Sequence, residues 1–126
     1  MEGVTLRLRP HHCIDIYGFY MGGGIEAYLR SWEMDRKKYG DAFVDGTARM
    51  IERFWNGGYS RLEVVPDFDD FCELCQIGCE GQNNPEDPTK DFRSLGLAIG
   101  EYDAETIREK ARQMGRNMRR RDLPPM

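Results

Sequence analysis

A chain of 126 residues, 40% hydrophobic and 32% charged, is long enough for one compact domain and carries no apolar run approaching a bilayer span. Its 18 Lys and Arg stand against 22 Asp and Glu, a net charge of −4, so nucleic acid is not an expected partner, because binders of nucleic acid usually present a positive field. The first residues lack the basic-then-apolar pattern of a secretory signal. The expected compartment is therefore the cytoplasm, where thiols stay reduced and four cysteines read as metal or redox ligands before they read as disulfides.

Val4 to Leu8 alternates apolar and polar residues, as a short half-buried strand does. Pro10 stops that strand and suits the first turn of a helix running through Ile14, Ile16 and Tyr17. The run Met21–Gly24 is a break. Ile25–Lys38 places Ile25, Tyr28, Leu29 and Trp32 at helical spacing, and Ala42–Trp55 repeats the pattern with Phe43, Thr47, Met50, Ile51 and Phe54. Asn56, Gly57 and Gly58 then end the helix. Arg61–Pro66 reads as a second short strand. Asp103–Arg119 reads as a last helix with Asp103 as its cap and Ile107, Ala111 and Met114 on its apolar face. Residues 119–126 read as a flexible tail. With no repeat and no linker, residues 1–126 form one domain. The expected class is α+β: a two- or three-stranded sheet covered by four to five helices.

The segment "DDFCELCQIGC" carries the strongest chemical signal. Cys72, Cys75 and Cys79 have the spacing C-x2-C-x3-C. On a helix their three sulfurs share one face, with Asp70 as the cap and Glu73 reaching back. Alternatively, Gly78 opens the segment into a loop that wraps a cluster. Three cysteines leave one coordination position, and Cys13 is the only other cysteine. Both strands end just before a cysteine-bearing segment, and the chain between them is helical. That is the pattern of a crossover between parallel strands. Parallel pairing puts the C-terminal ends of both strands at one edge and turns His11, His12 and Cys13 toward the three-cysteine segment, where such sheets bind ligands.

Soft thiolate ligands select zinc or an iron–sulfur cluster. One tight group of three cysteines plus one distant one favours a cluster, with [4Fe-4S] first and zinc as the alternative. Cys13 is the expected fourth ligand; the competing reading makes it a small buried apolar residue. His11 and His12 either serve local structure, touch the cluster or a substrate from outside the ligand set, or supply a Cys3His zinc ligand. Arg7 and Arg9 alternate onto one face, where they either neutralise an anionic group or stand solvated. The glycines Gly22–Gly24 lack the Lys-Ser/Thr that a phosphate loop needs. Arg116, Arg119, Arg120 and Arg121 suit a helix C-terminus.

The strings "LRLRPHHC" and "FVDGTARMIERFWNGGYSRLEVVPDFDDFCELC" resemble an uncharacterised prokaryotic family of small domains. Its members carry a strand ending in leucine-arginine-proline-histidine-histidine and an aspartate-aspartate-x-cysteine segment. The resemblance covers about two thirds of the chain. It implies an iron–sulfur cluster bound through cysteines and supplies no reaction. Here Cys13 follows His12 directly, where relatives usually place apolar residues before a cysteine. Residues 22–40 look like an added helix, and the cysteines that many relatives carry near the C-terminus are absent. The expected function is a small iron–sulfur protein working in electron transfer or Lewis-acid chemistry, with a redox partner protein or a small-molecule substrate. The alternative is a zinc-stabilised structural or interaction domain.

Overall fold

The computed structural model describes residues 4–75 and 95–121, with side chains described as far as Gly115. Three short strands, β1 (Thr5–Leu8), β2 (Arg61–Val64) and β3 (Gly100–Asp103), form one sheet in the order β1-β2-β3. β1 and β2 run parallel, with Leu6 opposite Leu62 and Leu8 opposite Val64. β3 adds to β2 antiparallel. The α+β class and the parallel pairing expected from the sequence are therefore present.

Period-two alternation decides the two faces of the sheet. Leu6, Leu8, Leu62 and Val64 are buried, while Arg7, Arg61, Glu63 and Glu101 stand on the opposite, polar face. That polar face carries the Arg61–Glu101 ion pair. α5 (Ala104–Arg121) packs on β2 and β3, α1 (Ile14–Gly22) packs on α5, and α4 (Asp41–Trp55) packs on α1. The core joins the four strand residues to Ile16, Val44, Ala48, Ile51, Phe54, Ile107 and Ala111. α4 turns Phe43, Val44, Thr47, Ala48, Ile51 and Phe54 inward at helical spacing. It closes where Gly57 takes a positive φ of 86°, letting the Gly58 N–H reach back to the Arg53 carbonyl. At the start of α5, Asp103 Oδ2 accepts the Thr106 N–H at 3.1 Å, the expected cap. Among the described residues no helix is long and apolar enough to cross a membrane.

One element departs from the sequence reading, and a second is decided between its two alternatives. Ile25–Lys38 is not one helix: α2 (Ile25–Ser31) stops at Trp32, a 3-10 turn covers Glu33–Asp35, and α3 spans Arg36–Tyr39. The break lets Trp32 and Tyr39 both reach Phe43 of α4, with ring centroids 5.6 and 5.2 Å away. Aromatic packing outweighs the small loss of helix hydrogen bonds. The three-cysteine segment does not form a helix through Cys75 either. A 3-10 turn covers Cys72–Leu74, and Cys75 is extended (φ −77°, ψ 121°).

The chain after β2 sets the geometry of this region. The Val65 N–H still bonds the Leu8 carbonyl, continuing the ladder by one residue. The chain then crosses the end of β1 to its outer edge. There the Asp70 N–H bonds the Arg7 carbonyl at 3.1 Å, and the Asp70 carboxylate accepts the Arg7 N–H at 2.9 Å. This two-point latch seats the cysteine turn over the first turn after β1. Leu74 of that turn fills a groove in α4 at Gly46, where any Cβ would fall 2.5 Å from Leu74 Cδ1.

Gly46→Ala should therefore cost about 1–3 kcal/mol through overpacking. Adding Leu74→Ala should return part of that loss, because the two sites share one contact. Denaturant unfolding of both single variants and the double variant checks this. Strictly additive losses would show that the turn does not rest on Gly46.

Candidate metal centre at the strand ends

β1 ends at Leu8, and Pro10–His12 forms a 3-10 turn that runs straight into α1. Pro10 stands in its first turn, as expected. β2 ends at Val64, and the crossing segment brings Asp69 over this turn. Asp69 is 2% exposed, a burial that a carboxylate tolerates only when its lone pairs are taken. They are: Oδ2 accepts the Arg9 N–H at 2.6 Å and lies 2.6 Å from His12 Nδ1, while Oδ1 accepts the Cys72 N–H at 2.9 Å. Burial works against its ionisation. The bond and charge of His12, the Arg9 N–H and the Cys72 side chain together outweigh it and hold the carboxyl below its ordinary range.

The cap of the cysteine turn is thus Asp69, three residues before Cys72, and not Asp70, which is spent on the β1 latch. Asp69 reaches the first N–H of the 3-10 turn from three residues back, across Asp70 and Phe71. Asp69 is the functional residue that the sequence reading passed over. Its signal was present in the doubled aspartate ahead of Cys72, where two adjacent carboxylates each need a separate role.

The candidate residues fall into three groups. Arg9, His12 and Cys72 gather around Asp69. Arg9 is 4% exposed, so it leaves the solvated strand face on which alternation placed it. The His12 ring packs against Phe71, the neighbour of Cys72, at 5.0 Å between centroids, and His11 lies 4.0 Å from His12 on its other side. Cys13 is fully buried within the apolar core, and its Sγ donates to the Arg9 carbonyl at 3.5 Å. Cys72 is buried as well, and Cys75 is partly buried and packs against the same core. Cys79 lies outside the described residues. Among the described residues, no three His, Cys, Asp or Glu side chains gather as a metal-holding set.

Comparison with family models, curated proteins and solved structures returned no match.

A second, half-buried acid lies one helical turn along. Asp15 accepts the Tyr28 hydroxyl at 3.2 Å. Burial raises its pKa to about 6, partly opposed by the charge of His12 and by the Tyr28 bond, with Asp69 adding to the rise. Burial and the neighbouring Asp15 carboxylate also push the Tyr28 phenol well above its ordinary value.

Two outcomes follow. Asp69→Ala strands two buried donors and one half-buried one and should cost about 3–5 kcal/mol. Asp70→Ala loses one partly exposed latch and should cost about 1 kcal/mol. Chemical denaturation of both variants tests the order, and equal losses would remove Asp69 from its central place. For Asp15, the folded state holds its proton more tightly than the unfolded chain. This contribution to stability is full below the ordinary carboxylate pKa of 3.8 and is lost as pH rises through about 6. Asp15→Asn keeps the Tyr28 acceptor and removes the titration. It should match the wild type near the ordinary pKa and exceed it by up to about 2–3 kcal/mol above pH 6. Parallel stability–pH curves for the two chains would refute this.

Proposed function

We propose that this chain is a small metal-binding protein carrying one iron–sulfur centre, [4Fe-4S] by the grouping of its cysteines. Cys72, Cys75 and Cys79 supply three ligands, and the turn after β1 supplies the fourth from Cys13 or His12. The observation that best supports this reading is the Asp69 carboxylate. It ties the histidine–cysteine turn at 2.6 Å and the three-cysteine segment at 2.9 Å to one point. Two segments rich in soft and borderline donors are thereby held side by side at the end of a parallel strand pair. The resemblance in the strings around His12 and Cys72 points the same way.

Such a cluster supplies one-electron transfer, or Lewis acidity where an iron keeps an open position. The chain's own part is to deliver thiolates, to place His11, His12 and Arg9 beside the centre, and to shield it with Phe71. A redox partner protein or a small-molecule substrate is the partner this reading calls for. One observation favours a second reading, a structural zinc site. A carboxylate on Nδ1 of a histidine is the usual support of a zinc-bound imidazole, and Asp69 stands in that position to His12.

Metal, iron and acid-labile sulfide counts on anaerobically purified protein separate the readings. Iron and sulfide in equal amounts with visible absorption support the cluster. One zinc per colourless chain supports the second reading. A chain that takes up neither metal from iron–sulfide reconstitution or from zinc would end both. Metal removal should also raise amide hydrogen exchange at 68–75 while α4 keeps its protection, because ligand bonds hold the turn and apolar burial holds the helix. Unchanged exchange at 68–75 would count against a centre there.

A further inference from the structure

We infer that Cys72 and Cys75 form a redox-active dithiol, which closes to a disulfide by exchange with a small-molecule disulfide. Only these two cysteines and the turn between them take part, whether or not the chain also holds a metal centre.

A disulfide demands Cα atoms roughly 4.4–6.8 Å apart and side chains on one side of the chain. The local backbone supplies both. The Cys75 N–H donates to the Cys72 carbonyl at 3.3 Å. That bond closes a four-residue turn, whose ends lie within about 7 Å of each other. On an extended segment the same two residues would stand about 10 Å apart. The turn over Cys72–Leu74 is of the 3-10 kind, and side chains three residues apart on such a turn eclipse one another. The Cβ of Cys75 is placed by its φ, which at −77° lies near the value of the turn, while its extended ψ of 121° acts only on the residues that follow. Both sulfurs therefore leave the turn on the same side.

The turn is also braced from outside. Asp69 Oδ1 accepts the Cys72 N–H at 2.9 Å. The Leu74 N–H bonds the Phe71 carbonyl at 3.0 Å, and Leu74 itself rests in the Gly46 groove of α4. Closure thus costs little backbone entropy, because the turn is already formed.

Burial assigns the two roles. Cys72 is 5% exposed, while Cys75 keeps part of its surface open to water. Cys75 is the sulfur that a small reagent reaches, and its partial burial favours a small disulfide over that of a folded protein. As a thiolate it attacks one sulfur of that disulfide. A mixed disulfide forms at Cys75, and the first small thiolate leaves and takes up the proton that Cys75 gave up. The Cys72 sulfur then attacks the Cys75 sulfur. The Cys72–Cys75 bond forms, the mixed bond breaks, and the second small thiol leaves with the Cys72 proton. The two cysteine thiols are oxidised by two electrons, and one disulfide is reduced to two thiols. Metal ligation uses the same sulfurs as thiolates, so metal loading and disulfide formation exclude each other.

The test incubates the full chain, both as purified and after chelator treatment, in anaerobic mixtures of glutathione and glutathione disulfide. Acid quenching, alkylation and mass spectrometry read the thiols. Cleavage after Glu73 separates the two cysteines, so their disulfide appears as two linked peptides, and fragmentation of the pair locates the bond. The wild type should lose two alkylatable thiols in a single step. Its ratio of disulfide to dithiol should follow glutathione disulfide over the square of glutathione. Cys72→Ser should hold a lasting glutathione adduct on Cys75, and Cys75→Ser should leave Cys72 reduced. Cys79→Ser, altered outside the described residues, should keep the disulfide and its midpoint. A wild-type chain that forms no Cys72–Cys75 disulfide in either sample would overturn the inference even if every variant misfolded. So would a wild-type glutathione adduct on Cys75 that never resolves, or a disulfide made to Cys79 instead. Metal counts on the same samples test the proposed centre separately.

Discussion

One buried carboxylate organises the end of this molecule. Asp69 accepts three donors from two chain segments some sixty residues apart in sequence. An isolated carboxylate in that position would be driven neutral or driven out to water, at a cost of several kcal/mol. Three donors on two oxygens reverse the balance, and the carboxylate stays ionised below its ordinary pKa. The arrangement is all-or-none in character. Each donor is itself buried or half-buried, so losing the acceptor leaves several groups unsatisfied at once. What the carboxylate fixes is the chemistry-bearing part of the chain: the tautomer of His12, the backbone of Cys72 and the direction in which the chain leaves β1.

The parallel pairing of β1 and β2 makes that meeting possible. A hairpin would have put the end of one strand beside the start of the other. The crossover through α1 to α4 puts both ends at one edge, and the residue after each strand starts a turn there. The apolar layer then holds the arrangement from below. Phe71 links the two turns to the core through His12 and Phe43, with centroid separations of 5.0 and 6.3 Å. Leu74 rests in the Gly46 groove of α4. The site is therefore carried by rigid elements on one side, and Cys75 packs against the same core.

Much of this was legible in the residues. Alternation gave β1 and β2, helical spacing gave α4 and α5, and the position of each strand before a cysteine-bearing segment implied parallel pairing. β3 was harder to see. Its residues Gly100, Glu101, Tyr102 and Asp103 are exposed or half-buried and show no apolar alternation, because it forms an edge against β2 and inherits its conformation from that partner. The break at Trp32 was invisible for the opposite reason. The apolar spacing of Ile25–Lys38 suits a helix, and only the position of Phe43 on another helix decides that Trp32 and Tyr39 pack better apart. At the site, the residue types put His12 and Cys72 forward, and the structure brings both to Asp69. The division of labour between Asp69 and Asp70 depends on a path across the sheet edge that no local pattern encodes.

The latch of Asp70 on Arg7 has a consequence for the company this protein keeps. β1 pairs with β2 on one side, and its other side presents backbone groups that any extended peptide can adopt as a template. Asp70 occupies that side with both its backbone N–H and its carboxylate. A negative charge set there also repels strands arriving from other molecules. The segment that bears the cysteines is thus also the cover of an otherwise sticky border. Whatever loosens it uncovers a docking strip for β-addition by another extended chain.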